Sequence, residues 1–180
     1  VTPLMRSRAK AVNFGIVYGI SDFSLSQDLK ITRKEAAEYM EIYFDRYPKI
    51  KGYLESVKEE AKEKGYVLTV LNRRRFIPEI KSSNKIVKAL GERLAMNAPI
   101  QGSAADIIKL AMVKVYNRIK KENLESQMIL QVHDELILNV KENELEIVKA
   151  LVKEEMENVL KMSVTLEVDT NIGNTWYDAK

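Results

Sequence analysis

The 180-residue chain has no cysteine. That excludes disulfides, zinc–thiolate sites and cysteine nucleophiles, and it predicts a reducing, cytoplasmic setting. Histidine occurs once, as His133, so multi-histidine metal sites are excluded too. Any metal chemistry must rest on carboxylates, which favours a hard ion such as Mg²⁺. No apolar run approaches the roughly 18 residues of a membrane span, and no signal-peptide pattern opens the chain, so no membrane partner is expected. Charge of either sign is not in excess: 29 Lys and Arg against 26 Asp and Glu give a net +3. A nucleic-acid surface would have to come from clustering, not from overall charge. With 46% hydrophobic and 31% charged residues, the composition suits one sizeable core or two subdomains. The first residue is Val1 and not Met, which fits a fragment or a processed chain.

Only four prolines and seven glycines punctuate the chain, so each one is informative. "VTPLMRSRAKAVNFGIVYG" reads as a helix with Thr2 as N-cap and Pro3 in its first position, ending against Gly19. "SDFSLSQDLK" is a short second helix. "TRKEAAEYMEIYFDRY" is a third, with Thr32 and Glu35 in capping-box register, and "KIKGYLESVKEEAKEKG" a fourth that ends at Gly65. "YVLTVLNRRRFIPEI" predicts a strand or hairpin with a basic tip at Arg73, Arg74 and Arg75. A helix follows from Ser83, through "NKIVKALGERLAMNAPIQ", and Pro99 is expected to interrupt it, with a new helix capped by Ser103 and Asp106 three residues on. The apolar positions of that second helix, Ile107, Leu110, Ala111, Val115 and Ile119, mark a core-facing side. "SQMILQVHDELILNVK" switches to period two, "ENELEIVKALVKEEMENVL" returns to a helix, and "VTLEVDTNI" reads as a last strand. No repeat or low-complexity tract is present. The shift from a basic, helical half to a small sheet with helices places a boundary near residue 86.

Two stretches carry chemistry. At 100° per residue, Arg6, Lys10 and Phe14 drift only about 80° around the first helix, and Tyr18 extends the stripe to about 120°. Cation, cation, ring and ring then follow one face over about 18 Å, the reach of a triphosphate, a sugar and a base. The same residues also read as a solvated face beside a core stripe. Gly15 and Gly19 cost the helix about 1 kcal/mol each and suggest that something flat approaches it. In the second stretch, an unbroken strand through "MILQVHDELILNV" would bury Asp134 among apolar side chains, which is too costly for an ionised carboxylate. A tight turn at His133 and Asp134 removes the problem. It presents Asp134 and Glu135 at a hairpin tip, either as cation ligands or as a capped structural turn.

"RSRAKAVNFGIVYGIS" and "LQVHDEL", in that order and more than a hundred residues apart, resemble the second and third signature motifs of the family A DNA polymerases. "NRRRFIPEI", "ERLAMNAPIQGSAADIIKLAM" and the terminal "IGNTWYDAK" match stretches of the bacterial members in the same order, so the resemblance covers nearly the whole chain. It implies template-directed DNA synthesis from deoxynucleoside triphosphates on a primer-template, in DNA replication and repair. Under it, Arg6 and Lys10 bind the phosphates of the incoming nucleotide, with Lys10 acting on the transferring group. Phe14 packs on sugar and base, and Tyr18 holds the template-base position in the open state. Asp134 is one of two aspartates holding two Mg²⁺ ions, Glu135 an outer contributor, and His133 a neighbour of the primer terminus. Arg75, Arg93, Asn97 and Gln101 lie near template and primer, with Gln101 reaching the minor-groove side of the terminal pair.

Two departures stand out. Relatives commonly open the second motif with two consecutive arginines, whereas here Arg6, Ser7, Arg8 turns one charge about 100° around the helix. The first motif, with the partner aspartate, is absent, and so is the thumb. The resemblance implies an α+β chain: a helical fingers segment, 1–85, followed by part of an antiparallel-sheet palm, 86–180, with the upstream polymerase region as partner. The isolated fragment is expected to be inactive. A non-catalytic nucleic-acid or nucleotide-binding fragment and a single-subunit RNA polymerase are the alternatives.

Overall fold

The computed structural model describes residues 1–179. Four helices open the chain: α1 (Pro3–Val17), α2 (Asp22–Leu29), α3 (Arg33–Arg46) and α4 (Pro48–Lys64). Their starts follow from side chains that satisfy free N–H groups of the first turn. Thr2, Ser21 and Thr32 each accept from a backbone N–H three residues on. At α3 the capping box is complete, because the Thr32 N–H donates to Glu35 Oε2 at 2.8 Å. α4 ends on Gly65 in the left-handed region at φ 77°.

The hairpin β1 (Tyr66–Leu68) and β2 (Arg74–Phe76) comes next, antiparallel, with Val67 opposite Arg75. A 3₁₀ turn over Pro78–Lys81 leads to α5 (Lys85–Lys121), a single helix of 37 residues. Asn84 starts it by accepting from the Ile86 N–H at 2.9 Å. The expected break at Pro99 is not made: proline lies inside the helix, and Ser103 and Asp106 lie in mid-helix instead of at a new N-cap. An interior proline costs about 3 kcal/mol. Packing on both sides of it offsets that cost. Ala95, fully buried, joins one apolar cluster, while Val115 and Ile119 join another.

β3 (Gln127–Val132) and β4 (Glu135–Asn139) form the second hairpin, followed by a 3₁₀ turn over Glu142–Glu144 and by α6 (Leu145–Glu157). The ladder slips between Met128 and Leu130, a bulge at Ile129 that turns Leu130 outward, where strict alternation puts it on the inner face. Residues 164–172, expected as a final strand, have no strand structure. A strand exists through a ladder partner, and among the described residues none pairs with this segment; the Val168 N–H donates instead to Glu157 Oε1 at 3.1 Å.

Two compact units divide the chain, residues 1–102 and 103–180, with the division inside α5. The first unit holds two cores. Leu25, Leu29 and Ala36 bring α1, α2 and α3 together, and Val57, Ala61, Val67, Ile77, Ile80 and Ala95 join α4, the first hairpin and α5. At Gly91 α5 passes so close to the 3₁₀ turn that a Cβ there would lie 2.6 Å from the Ile80 nitrogen. In the second unit Val115, Ile119, Val148, Leu151 and Val152 form the core, with Leu136, Leu138 and Val140 of the hairpin packed on it. The base of that hairpin is tied by Glu144. Its carboxylate accepts from the Glu125 and Ser126 N–H groups at 2.9 Å each and from the Ser126 hydroxyl at 2.5 Å. The Ser126 hydroxyl first, and these N–H groups with it, hold the Glu144 carboxyl below its ordinary pKa. Among the described residues no helix is long and apolar enough to cross a membrane.

Candidate functional site

On α1 the sequence stripe becomes a physical surface. Lys10 Nζ lies 5.6 Å from the centroid of the Phe14 ring. The Phe14 and Tyr18 rings stack at 6.4 Å with only 14° between their planes. Both rings are about half exposed, at 50% and 43%, whereas Ile16 turns inward at 2%. Phe14 is therefore not core, and the helix offers solvent a cation next to two parallel flat faces. Such a surface suits a ligand that is anionic at one end and planar at the other. Arg6 is exposed one turn before Lys10, and Arg8 is exposed off the stripe.

Beside the rings lies an open cavity of about 650 Å³, lined by Phe14, Gly15, Tyr18, Gly19, Ser21 and Arg93 among others. The glycines have a cause different from the one their positions suggest. A Cβ on Gly15 would lie 2.8 Å from Ile20 Cγ2, and one on Gly19, which has φ 69°, would overlap the Met96 methyl group. The chain's own side chains come close at these two residues.

Continuity of α5 through Pro99 has a direct result for three predicted residues. Arg93, Asn97 and Gln101, four apart, drift only about 80° and share one face. Arg93 reaches the cavity of α1, Gln101 is exposed, and Asn97 Oδ1 is buried with no hydrogen-bond partner among the described residues. The arginine run divides its labour. Arg73 Nη2 donates to the Gly102 carbonyl at 3.1 Å, Arg74 lies over the Tyr66 ring at 5.0 Å, and Arg75 is exposed on β2. Arg73 and Arg74 thus have structural contacts that the sequence run does not separate from the expected DNA contact at Arg75.

The second hairpin turns at His133 and Asp134, as its buried-carboxylate problem requires. His133 takes a left-handed φ of 52°, and the Gln131 side-chain amide braces it by donating to the His133 carbonyl at 2.6 Å. Asp134 and Glu135 are both exposed at the tip. Glu135 Oε2 accepts from the Trp176 indole N–H at 3.3 Å, a contact with no periodicity or spacing signal in the sequence. Two adjacent exposed carboxylates fit one side of a hard divalent ion. Among the described residues no group of three His, Asp or Glu side chains gathers to complete a shell.

A family model described as DNA polymerase family A matches residues 1–178. The chain is 57% identical over all of its 180 residues to DNA polymerase I of Caldicellulosiruptor bescii, covering 21% of that protein. It is also 57% identical to DNA polymerase I of Bacillus caldotenax and 53% identical to that of Bacillus subtilis, covering all of this chain and 20% of each relative. The chain thus spans about one fifth of the length of the curated relatives it matches. The POL domain of Pol1 from M. smegmatis, solved in complex with DNA primer-template and dNTP, superposes with a TM-score of 0.96 at 49% identity, over 99% of this chain and 32% of that one.

Proposed function

The chain belongs to DNA polymerase family A, and from that premise we propose that it supplies the fingers segment, residues 1–85, and the C-terminal part of the palm, residues 86–180, of a template-directed DNA polymerase. In this reaction the primer 3′-oxygen attacks the α-phosphorus of a deoxynucleoside triphosphate. A P–O bond forms to the primer, the bond to pyrophosphate breaks, and the hydroxyl proton is lost. The observation that carries the reading is the exposed stripe of α1, where Lys10 stands next to Phe14 and Phe14 stacks with Tyr18. Further support is the similarity to a polymerase domain solved with primer-template and dNTP.

Arg6 and Lys10 bind the triphosphate, and the Lys10 ammonium lies along the bond that breaks, where negative charge grows. Phe14 packs on the sugar and base. Tyr18 holds the template-base position until the base arrives. Arg75, Arg93, Asn97, Gln101 and His133 touch primer and template, Gln101 from the minor-groove side, where acceptors shared by all correct pairs report mispairing. Asp134 and Glu135 would hold Mg²⁺ from one side, and a second aspartate outside this chain, together with a thumb, would complete the site. When bound, the ions would supply positive charge to offset the negative charge that develops on the reacting oxygens. The enzyme serves replication and repair in the bacterial cytoplasm.

The test is primer extension by the full-length polymerase carrying this chain. Asp134→Asn abolishes extension and leaves primer-template affinity within about two-fold, because a metal ligand is lost and no phosphate contact is. Full extension by that variant would reduce the "HDE" turn to a structural feature.

A further inference from the structure

The Trp176 indole is the one described polar partner of Glu135, forty-one residues away in sequence, with Nε1 to Oε2 at 3.3 Å. The ring is held out to the hairpin by a closed turn. Asp178 Oδ2 accepts from both the Thr175 N–H, at 3.1 Å, and the Thr175 hydroxyl, at 2.6 Å. The Asp178 and Ala179 N–H groups donate back to the Thr175 carbonyl at 3.1 and 3.2 Å. Gly173 closes the turn so tightly that a Cβ would lie 2.7 Å from the Ala179 nitrogen. Four hydrogen bonds within the turn and a close approach therefore fix a short segment that, among the described residues, lies outside any strand or helix.

The chemistry of the donor is informative. Indole carries one N–H, no acceptor and no charge. A lysine or arginine at the same place would also hold Glu135, but it would neutralise the carboxylate and compete with a cation. A neutral donor fixes one oxygen, leaves the full negative charge, and leaves Oε1 open. Orientation of a ligating carboxylate by a hydrogen bond from behind is the usual device by which a metal site keeps its geometry.

We propose that Trp176 is a positioning residue that aims the Glu135 carboxylate toward a divalent cation held beside Asp134. The proposal rests on the reading of Asp134 and Glu135 as cation ligands. It adds a role for the chain's only tryptophan, at the far end of the sequence.

The experiment uses the full-length polymerase and Mn²⁺ as the probe, with bound and free ion read by electron paramagnetic resonance in the absence of turnover. Trp176→Phe keeps the ring and removes the N–H. It weakens Mn²⁺ binding about ten-fold, the lower end for loss of such an orienting partner. Trp176→His, which keeps a ring N–H, restores at least part of that affinity. In the Glu135→Gln background Trp176→Phe has no further effect. Unchanged Mn²⁺ affinity in Trp176→Phe overturns the proposal, as does an equal loss in the Glu135→Gln background or a Trp176→His variant as weak as Trp176→Phe. The Asp134→Asn protein separates the two levels. If it binds Mn²⁺ normally, the cation-site reading falls with the proposal; if it binds weakly while Trp176→Phe binds normally, only the role of Trp176 falls.

Discussion

An ammonium 5.6 Å from a ring centroid loses little by the contact and stays available for an anion. Lys10 is in that state, exposed, one turn from Arg6 and one from Phe14. In the full-length polymerase, Lys10→Ala lowers single-turnover nucleotide incorporation by about 10²-fold or more, the cost of removing one preorganised charge from a developing anion. DNA affinity changes far less, because the role proposed for the lysine is on the nucleotide's phosphates. Rapid-quench measurement of one incorporation checks this, and an unchanged rate removes Lys10 from the chemistry. At this scale the α1 stripe was legible because helical spacing alone aligns Arg6, Lys10, Phe14 and Tyr18. The contacts of Arg73 with Gly102 and of Trp176 with Glu135 were not. They join residues through turns whose geometry no local pattern announces.

Among the elements, helix starts were the most legible part, because Thr2, Ser21 and Thr32 cap through contacts three residues long. Pro99 misled for a physical reason: the local cost of an interior proline is real, and only packing on either side, invisible to a local rule, outweighs it. The segment 164–172 misled in the same way, since a β-rich composition makes a strand only where a ladder partner exists. Glu144 allows a test at this scale. Its pKa is lowered in the fold, first by the Ser126 hydroxyl and also by backbone N–H groups, so the unfolded chain binds its proton more readily. The stabilisation is therefore present above about pH 4.3, the unfolded value, and is lost as pH falls through the lower folded value. Thermal melts of the chain from pH 7 to pH 3 show this acid limb, and Ser126→Ala flattens it. An identical limb in Ser126→Ala would put the acid sensitivity elsewhere.

Among the described residues the buried apolar side chains gather in separate clusters, and the basic groups proposed to meet DNA are spread over α1, β2 and α5. Binding by the 180-residue chain alone is then weak and governed by counterion release. With about four phosphates neutralised, log K falls with log salt at a slope of roughly −3 to −4. Fluorescence anisotropy of a labelled primer-template across a salt series measures that slope, and the same sample with Mg²⁺ and all four deoxynucleotides yields no extension. A slope near zero would argue against a phosphate-reading surface. The change in composition near residue 86 falls where α5 begins, and the compact units part inside that helix.

The Glu144 clamp also bears on the order of events in folding. Its bonds to Glu125 and Ser126 span only nineteen and eighteen residues, and they enclose the whole β3–β4 hairpin, with Asp134 and Glu135 at the far tip. Contacts of such short range close at low entropic cost and tend to form before distant ones. The hairpin and its clamp are therefore suited to be a nucleus, and Ser126→Ala slows refolding nearly as much as it lowers stability, a φ-value above about 0.5 in stopped-flow measurements. A value near zero would place the clamp late. On this order the turn that carries the two carboxylates closes while much of the chain is still unfolded, and Trp176, forty-one residues from Glu135, reaches a backbone turn already in place.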